Sequence, residues 1–135
     1  MSNNKLFNVN WESNILASIF STNWQPDSET RLYLPVGDNG YELKVSGVYQ
    51  GQPYQWGYTA YYDGQDHPVY GRDDVDSIEA YKVNDYITIG FFKKNGILGG
   101  PYARKLSLDG KSLTVQSVGS RNGKVFFDVI EYSQP

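Results

Sequence analysis

The chain has no cysteine and a single histidine, His67. Neither a disulfide framework nor a thiolate nucleophile is available, and a zinc site would have to be assembled from carboxylates around one imidazole. No metal site and no cofactor is expected. Positive charge is also scarce: the formal net charge is −3 and the pI is near 5.0. The longest basic runs are pairs, Lys93-Lys94 and Arg104-Lys105. A nucleic-acid backbone or an anionic membrane surface rewards clustered Lys and Arg, so neither is expected as a partner. No apolar run reaches the length of a signal-peptide core or a membrane span, and the expectation is a cytoplasmic protein. Gly-x-Ser-x-Gly elbows, phosphate-cradling glycine loops ahead of a helix and paired histidines are all missing, which leaves serine hydrolysis and phosphoryl transfer without support.

What the sequence has in abundance is aromatic side chains and glycine: 12 Tyr, 6 Phe, 3 Trp and 14 Gly among 135 residues. Aromatics favour strands and glycines favour turns, so the mixture reads as β. The length suits one domain, residues 1–135. Period-two alternation predicts strands over Glu29 to Leu34, Tyr41 to Tyr49, Tyr54 to Tyr62, Ser77 to Val83, Tyr86 to Lys93, Leu98 to Leu108, Ser112 to Val118 and Lys124 to Tyr132. Tight-turn signals separate them, among them Asp38-Asn39-Gly40, Asn95-Gly96, Asp109-Gly110 and Asn122-Gly123. Leu6 to Trp11 reads as a first strand. Ser13 to Phe20 carries Ile15, Leu16, Ile19 and Phe20 at helical spacing, which predicts one short helix or helical turn with Ser13 as its N-cap. Asp63 to Asp76 reads as a long loop or a short irregular edge, a candidate lid. Gly99-Gly100-Pro101 marks a bulge or barrel corner. About eight to ten strands joined by hairpins predict an antiparallel up-and-down barrel, because closure removes the edges that long strands would expose.

Several segments have a familiar order: Trp11, Phe20, Pro26-Asp27-Ser28, Trp56-Gly-Tyr58-Thr-Ala60, DGQDHPVYG at 63–71, Lys93-Lys94-Asn-Gly96, LSLDGKSLTVQSVG at 106–119 and NGKVFFDVIEY at 122–132. Taken together, they resemble a largely uncharacterised bacterial lipocalin-like (calycin-type) β-barrel family. The resemblance spans most of the chain and implies a calyx for a small hydrophobic molecule. It implies an aromatic residue where His67 stands, and it brings no catalytic motif.

The candidate site follows from the alternation. Tyr54, Trp56, Tyr58, Ala60 and Tyr62 fall on one face, with Tyr41, Phe92, Tyr102 and Phe127 as neighbours on other strands. This face is either an ordinary packed core or a ligand wall. A buried phenol needs a partner, and so many tyrosines favour an interior that also holds water or a polar ligand group. Arg104 alternates with Tyr102 and Leu106, and Glu131 with Val125, Phe127 and Val129, so both charges are expected to face inward. There they would form an ion pair at one barrel end or anchor a ligand. Arg104 over Trp11 would resemble the structural plug of a lipocalin. His67 has the one side chain suited to acid-base work near neutrality, set in a loop. The ligand-binding candidates are therefore Tyr41, Trp56, Tyr58, Tyr62, Phe92, Tyr102, Arg104, Phe127 and Glu131. His67, Tyr58, Arg104 and Glu131 are the candidates if the protein catalyses a reaction. Two functions are expected: binding of a small hydrophobic or aromatic molecule, or cofactor-independent cyclisation or isomerisation of such a substrate in the same cavity.

Overall fold

Alternation along the chain is realised as ten strands in the computed structural model, which describes residues 4–121 and 123–135. They are β1 (Asn10–Phe20), β2 (Ser28–Val36), β3 (Gly40–Tyr49), β4 (Gln52–Tyr61), β5 (His67–Tyr70), β6 (Ser77–Lys82), β7 (Ile87–Lys94), β8 (Ile97–Leu106), β9 (Ser112–Arg121) and β10 (Lys124–Ser133). Each pairs antiparallel with its neighbours in sequence, and β10 pairs with β1 to close the barrel. The turns follow the local chemistry. Asn95 and Gly96 both have positive φ, 52° and 76°, the backbone of a type I′ hairpin that Asn-Gly favours. Asn122, half of a similar turn read from the sequence, lies outside the described residues. At the β7–β8 ladder Phe92 faces Gly100 while Lys93 faces Leu98, so Gly99 is the extra residue of a bulge, as the glycine pair suggested.

Three expectations need correction. The described residues contain no helix, and Ser13 to Phe20 is part of β1. Between Asn14 and Ile19 the register slips: five steps along β1 face two along β10. The surplus forms one tight loop, held by Ser18 Oγ donating to the Asn14 carbonyl at 2.7 Å and by Ala17 N donating to Asn14 Oδ1 at 3.2 Å. Helical spacing was therefore a bulge signature, and Leu16 stands fully in solvent. Leu6 to Trp11 is not a strand either. Residues 5–8 form a turn, and β1 starts at Asn10.

The third correction concerns β10. Its buried residues are Phe126, Asp128, Ile130 and Tyr132, whereas Phe127 is 38% exposed and Glu131 is only half-buried. Both faces of β10 carry apolar residues, so alternation alone cannot choose between them; pairing does. Phe126 sits opposite Gly119, its ring in the space a side chain there would fill, and Tyr132 sits opposite the fully buried Leu113. Glu131 instead accepts a hydrogen bond from Thr114 Oγ1 at 2.8 Å on the outer surface.

The N-terminal segment closes one end of the barrel. Leu6 is buried and its carbonyl accepts from Trp11 Nε1 at 3.0 Å, while Asn8 N donates to the Tyr33 carbonyl at 2.9 Å. The opposite end is framed by the β1–β2, β3–β4, β5–β6, β7–β8 and β9–β10 connections. Between them lies a tightly packed layer containing Tyr33, Tyr41, Leu43, Tyr58, Tyr102 and Tyr132.

Candidate functional site

The end away from the N-terminal segment holds a cavity of about 660 Å³. Trp56, Phe92 and Phe126 point into it from alternate positions of β4, β7 and β10, with Tyr54 nearer the rim, and charged residues, among them Glu29, Arg31, Arg72 and Asp128, share the lining. Trp24, on the β1–β2 connection, stacks on Tyr49 with centroids 6.1 Å apart and meets Phe20 edge-on at 5.8 Å. This gives the mouth an aromatic lip.

A charged pair lies at the floor. Glu29 and Arg31 alternate with Tyr33 on the inward face of β2, and Glu29 is only 2% exposed. A buried carboxylate costs several kcal/mol unless its lone pairs are met. Here the Glu29 oxygens accept from Arg31 Nε at 3.1 Å, from Tyr54 Oη at 2.9 Å and from Tyr132 Oη. The Arg31 guanidinium also lies 5.3 Å from the ring centroids of both Trp56 and Tyr132. A delocalised cation between two π faces loses less on burial than an ammonium would. Burial above all, and secondarily the adjacent Glu29, push the Tyr54 phenol well above the usual tyrosine range. Burial does the same to Tyr132, so both phenols remain protonated donors.

The β5–β6 connection folds over this mouth. Arg72 places its guanidinium 4.7 Å from the Trp56 centroid and 5.1 Å from that of Phe92. Asp74 holds it there in a two-pronged bond, Nε to Oδ1 at 2.8 Å and Nη2 to Oδ2 at 2.6 Å. Val75 is buried beside it. The segment read as a lid thus contains the short strand β5 and then a strap that reaches the cavity.

The residues expected to form the site are divided by the structure. Trp56 and Phe92 line the aromatic cavity. Tyr41, Tyr58 and Tyr102 lie in the layer beneath it and bond to one another, Tyr41 Oη to Tyr58 Oη at 2.8 Å and to Tyr102 Oη at 3.2 Å. Burial raises the pKa of all three, and they stay neutral. The phenols therefore satisfy one another, and their number is not itself a sign of an internal ligand. Arg104 and Tyr62 belong to the opposite end, where they line a second cavity of about 660 Å³. Arg104 does not pair with Glu131, and its cation–π partners are Tyr33 and Tyr41 at 4.7 Å each, where the sequence suggested Trp11. Phe127 and Glu131 point outward, so neither can line the interior. His67 lines neither cavity; its Nε2 bonds Asp63 Oδ1 at 2.9 Å, with the Tyr61 ring 5.4 Å away.

Sequence reasoning missed Glu29, Arg31, Arg72 and Trp24. On β2 the competing face, Thr30, Leu32 and Leu34, is the more apolar, and it is the one turned outward. The missed signal was the pattern Glu-x-Arg-x-Tyr, two opposite charges two residues apart and in phase with an aromatic, which can neutralise one another on one face of a strand. Comparison with known proteins adds no assignment: no protein-family model matches the chain, and no curated protein matches it.

Proposed function

We propose that this barrel binds a small hydrophobic or aromatic molecule in the cavity bounded by Trp24, Trp56, Phe92 and Phe126. The observation that carries the reading is the cavity itself, about 660 Å³, at the end away from the N-terminal segment, with six aromatic side chains in its lining beside charged ones. That volume falls in the range that encloses a drug-sized ligand. Flat aromatic walls and an edge-on lip suit a planar or ring-containing molecule, which gains both area burial and stacking. Arg31 and Glu29 at the floor add a donor and an acceptor that fix its orientation, and the Arg72 strap lies over it.

The test is titration with the fluorescent probe aminoanthracene, followed by quenching of the rim and wall tryptophans. Saturable quenching that is lost in Trp56→Leu and weakened in Phe92→Ala supports the reading. Unsaturable quenching, or quenching unchanged in both variants, would overturn it. A second reading, cofactor-independent cyclisation or isomerisation in the same cavity, is favoured by one arrangement: a carboxylate, Glu29, held among Tyr54, Tyr132 and Arg31. A carboxylate beside two neutral phenols can take a proton from one position of a bound substrate while a phenol returns one at another. Under that reading Glu29→Gln lowers kcat far more than it raises KM; a pure binding protein shows no turnover to lose.

A further inference from the structure

The end of the barrel nearest the N-terminal segment contains a buried cation with no counter-charge. Arg104 is 5% exposed, and no carboxylate lies within ion-pair distance of it among the described residues. Its Nη2 donates to Thr88 Oγ1 at 2.7 Å and to Tyr62 Oη at 3.4 Å, and its Nη1 has no hydrogen-bond partner among the described residues. The remaining compensation comes from the π faces of Tyr33 and Tyr41. Neutral hydroxyls and rings soften the cost of burying a guanidinium, but they do not neutralise it. Arg31, in the same barrel, has Glu29 for that purpose. Arg104 differs also in what it faces: with Thr88 and Tyr62 it lines the second cavity of about 660 Å³, whose other walls come from the N-terminal segment and the β2–β3, β6–β7 and β8–β9 connections.

From this geometry we infer that the second cavity is a binding site for a small organic monocarboxylate, whose carboxyl oxygens meet Arg104 and the hydroxyls of Thr88 and Tyr62. The single charge follows from the surroundings. A guanidinium presents a planar fork that matches one carboxylate. Of the other cations lining this cavity, Lys82 Nζ is paired with Asp85 at 3.1 Å, and the exposed Lys5 Nζ donates to the Asp109 carbonyl at 3.3 Å. The carboxylates on the rim, Asp38 and Asp85, are exposed and also act against multiply charged anions. The organic remainder would lie against Phe7 and Leu106, which line the same cavity.

The experiment uses benzoate as probe and benzyl alcohol as its neutral counterpart, with the arginine side-chain Nε–Hε resonances followed by nitrogen-15 NMR and Arg104 assigned from Arg104→Lys. Benzoate is expected to move the Arg104 resonance saturably, with a Kd of about a millimolar, the range open to a small ligand held through one charged group. Benzyl alcohol should leave it in place. Removing one hydroxyl contact, in Thr88→Val or in Tyr62→Phe should the first not fold, should weaken benzoate about fivefold. An Arg104 resonance that does not move, that drifts without saturating, or that moves as far with benzyl alcohol would overturn the inference. So would benzoate shifts confined to Arg31 or Arg72; that result would put the anion in the aromatic cavity and leave the first proposal standing.

Discussion

Replacing Glu29 by Gln tests whether the charged floor is a mutually dependent unit. Glu29 is 2% exposed and accepts from Arg31, Tyr54 and Tyr132. The amide keeps one oxygen for the phenols but removes the charge that compensates Arg31, whose side chain is only 9% exposed. Breaking a buried pair from one side costs about 3–5 kcal/mol, because the other ion stays buried without its partner. A domain of ordinary stability has about 5–15 kcal/mol to lose, so the variant should fold and be visibly weakened. At a urea slope of about 2 kcal/mol per molar, a loss of about 4 kcal/mol moves the unfolding midpoint down by about 2 M. Arg31→Met should cost a similar amount by orphaning the carboxylate. The double variant is the decisive measurement: with both charges gone, its loss should fall short of the summed single losses by about 2–3 kcal/mol. Urea unfolding followed by tryptophan fluorescence reads all four proteins. Single variants within about 0.5 kcal/mol of the parent, or a double variant whose loss equals the sum, would refute the claim that these charges depend on one another.

Three further outcomes are expected. Burial raises the pKa of Tyr41, Tyr54, Tyr58, Tyr102 and Tyr132 above the unfolded value. A raised pKa stabilises the fold fully below the unfolded value of about 10 and loses that contribution as pH climbs toward the folded values, so these phenols should ionise only as the barrel opens. Phenolate absorbance corresponding to all twelve tyrosines in a single reversible step near pH 10, with far-ultraviolet circular dichroism unchanged, would contradict this. Gly100→Ala should destabilise by about 1–3 kcal/mol or more, since a Cβ there would collide with the Val118 carbonyl oxygen on the neighbouring strand; a neutral effect on the thermal midpoint would mean the strands do not approach so closely. Finally, Phe126→Ser should cost about 3–5 kcal/mol and loosen probe binding, whereas Phe127→Ser should stay within about 1 kcal/mol of the parent. The reverse ranking in thermal melts would mean that β10 faces the other way.

The sequence by itself determined eight of the ten strands, β2 to β4 and β6 to β10, their antiparallel order and the positions of most hairpins, because these rest on local chemistry; β1 and β5 were not legible as strands. Asn95-Gly96 takes the paired positive φ of a type I′ turn that its residue types favour, and the β4 alternation from Tyr54 to Tyr62 has only one apolar face to bury. The inward-facing Trp56, Tyr58, Tyr102 and Arg104 were legible for the same reason. Where both faces of a strand were plausible, local pattern ran out. On β10 the choice between Phe126 and Phe127 was made by Gly119 across the ladder, and on β2 Glu29 and Arg31 could turn inward only because Tyr54, Tyr132 and Trp56 arrive from other strands to meet their charges. Burial of an ion is decided by partners far away in sequence, and no period along one strand reports them. The division of the interior into an aromatic cavity and a separate Arg104 end, with bonded tyrosines between, is likewise a property of closure alone.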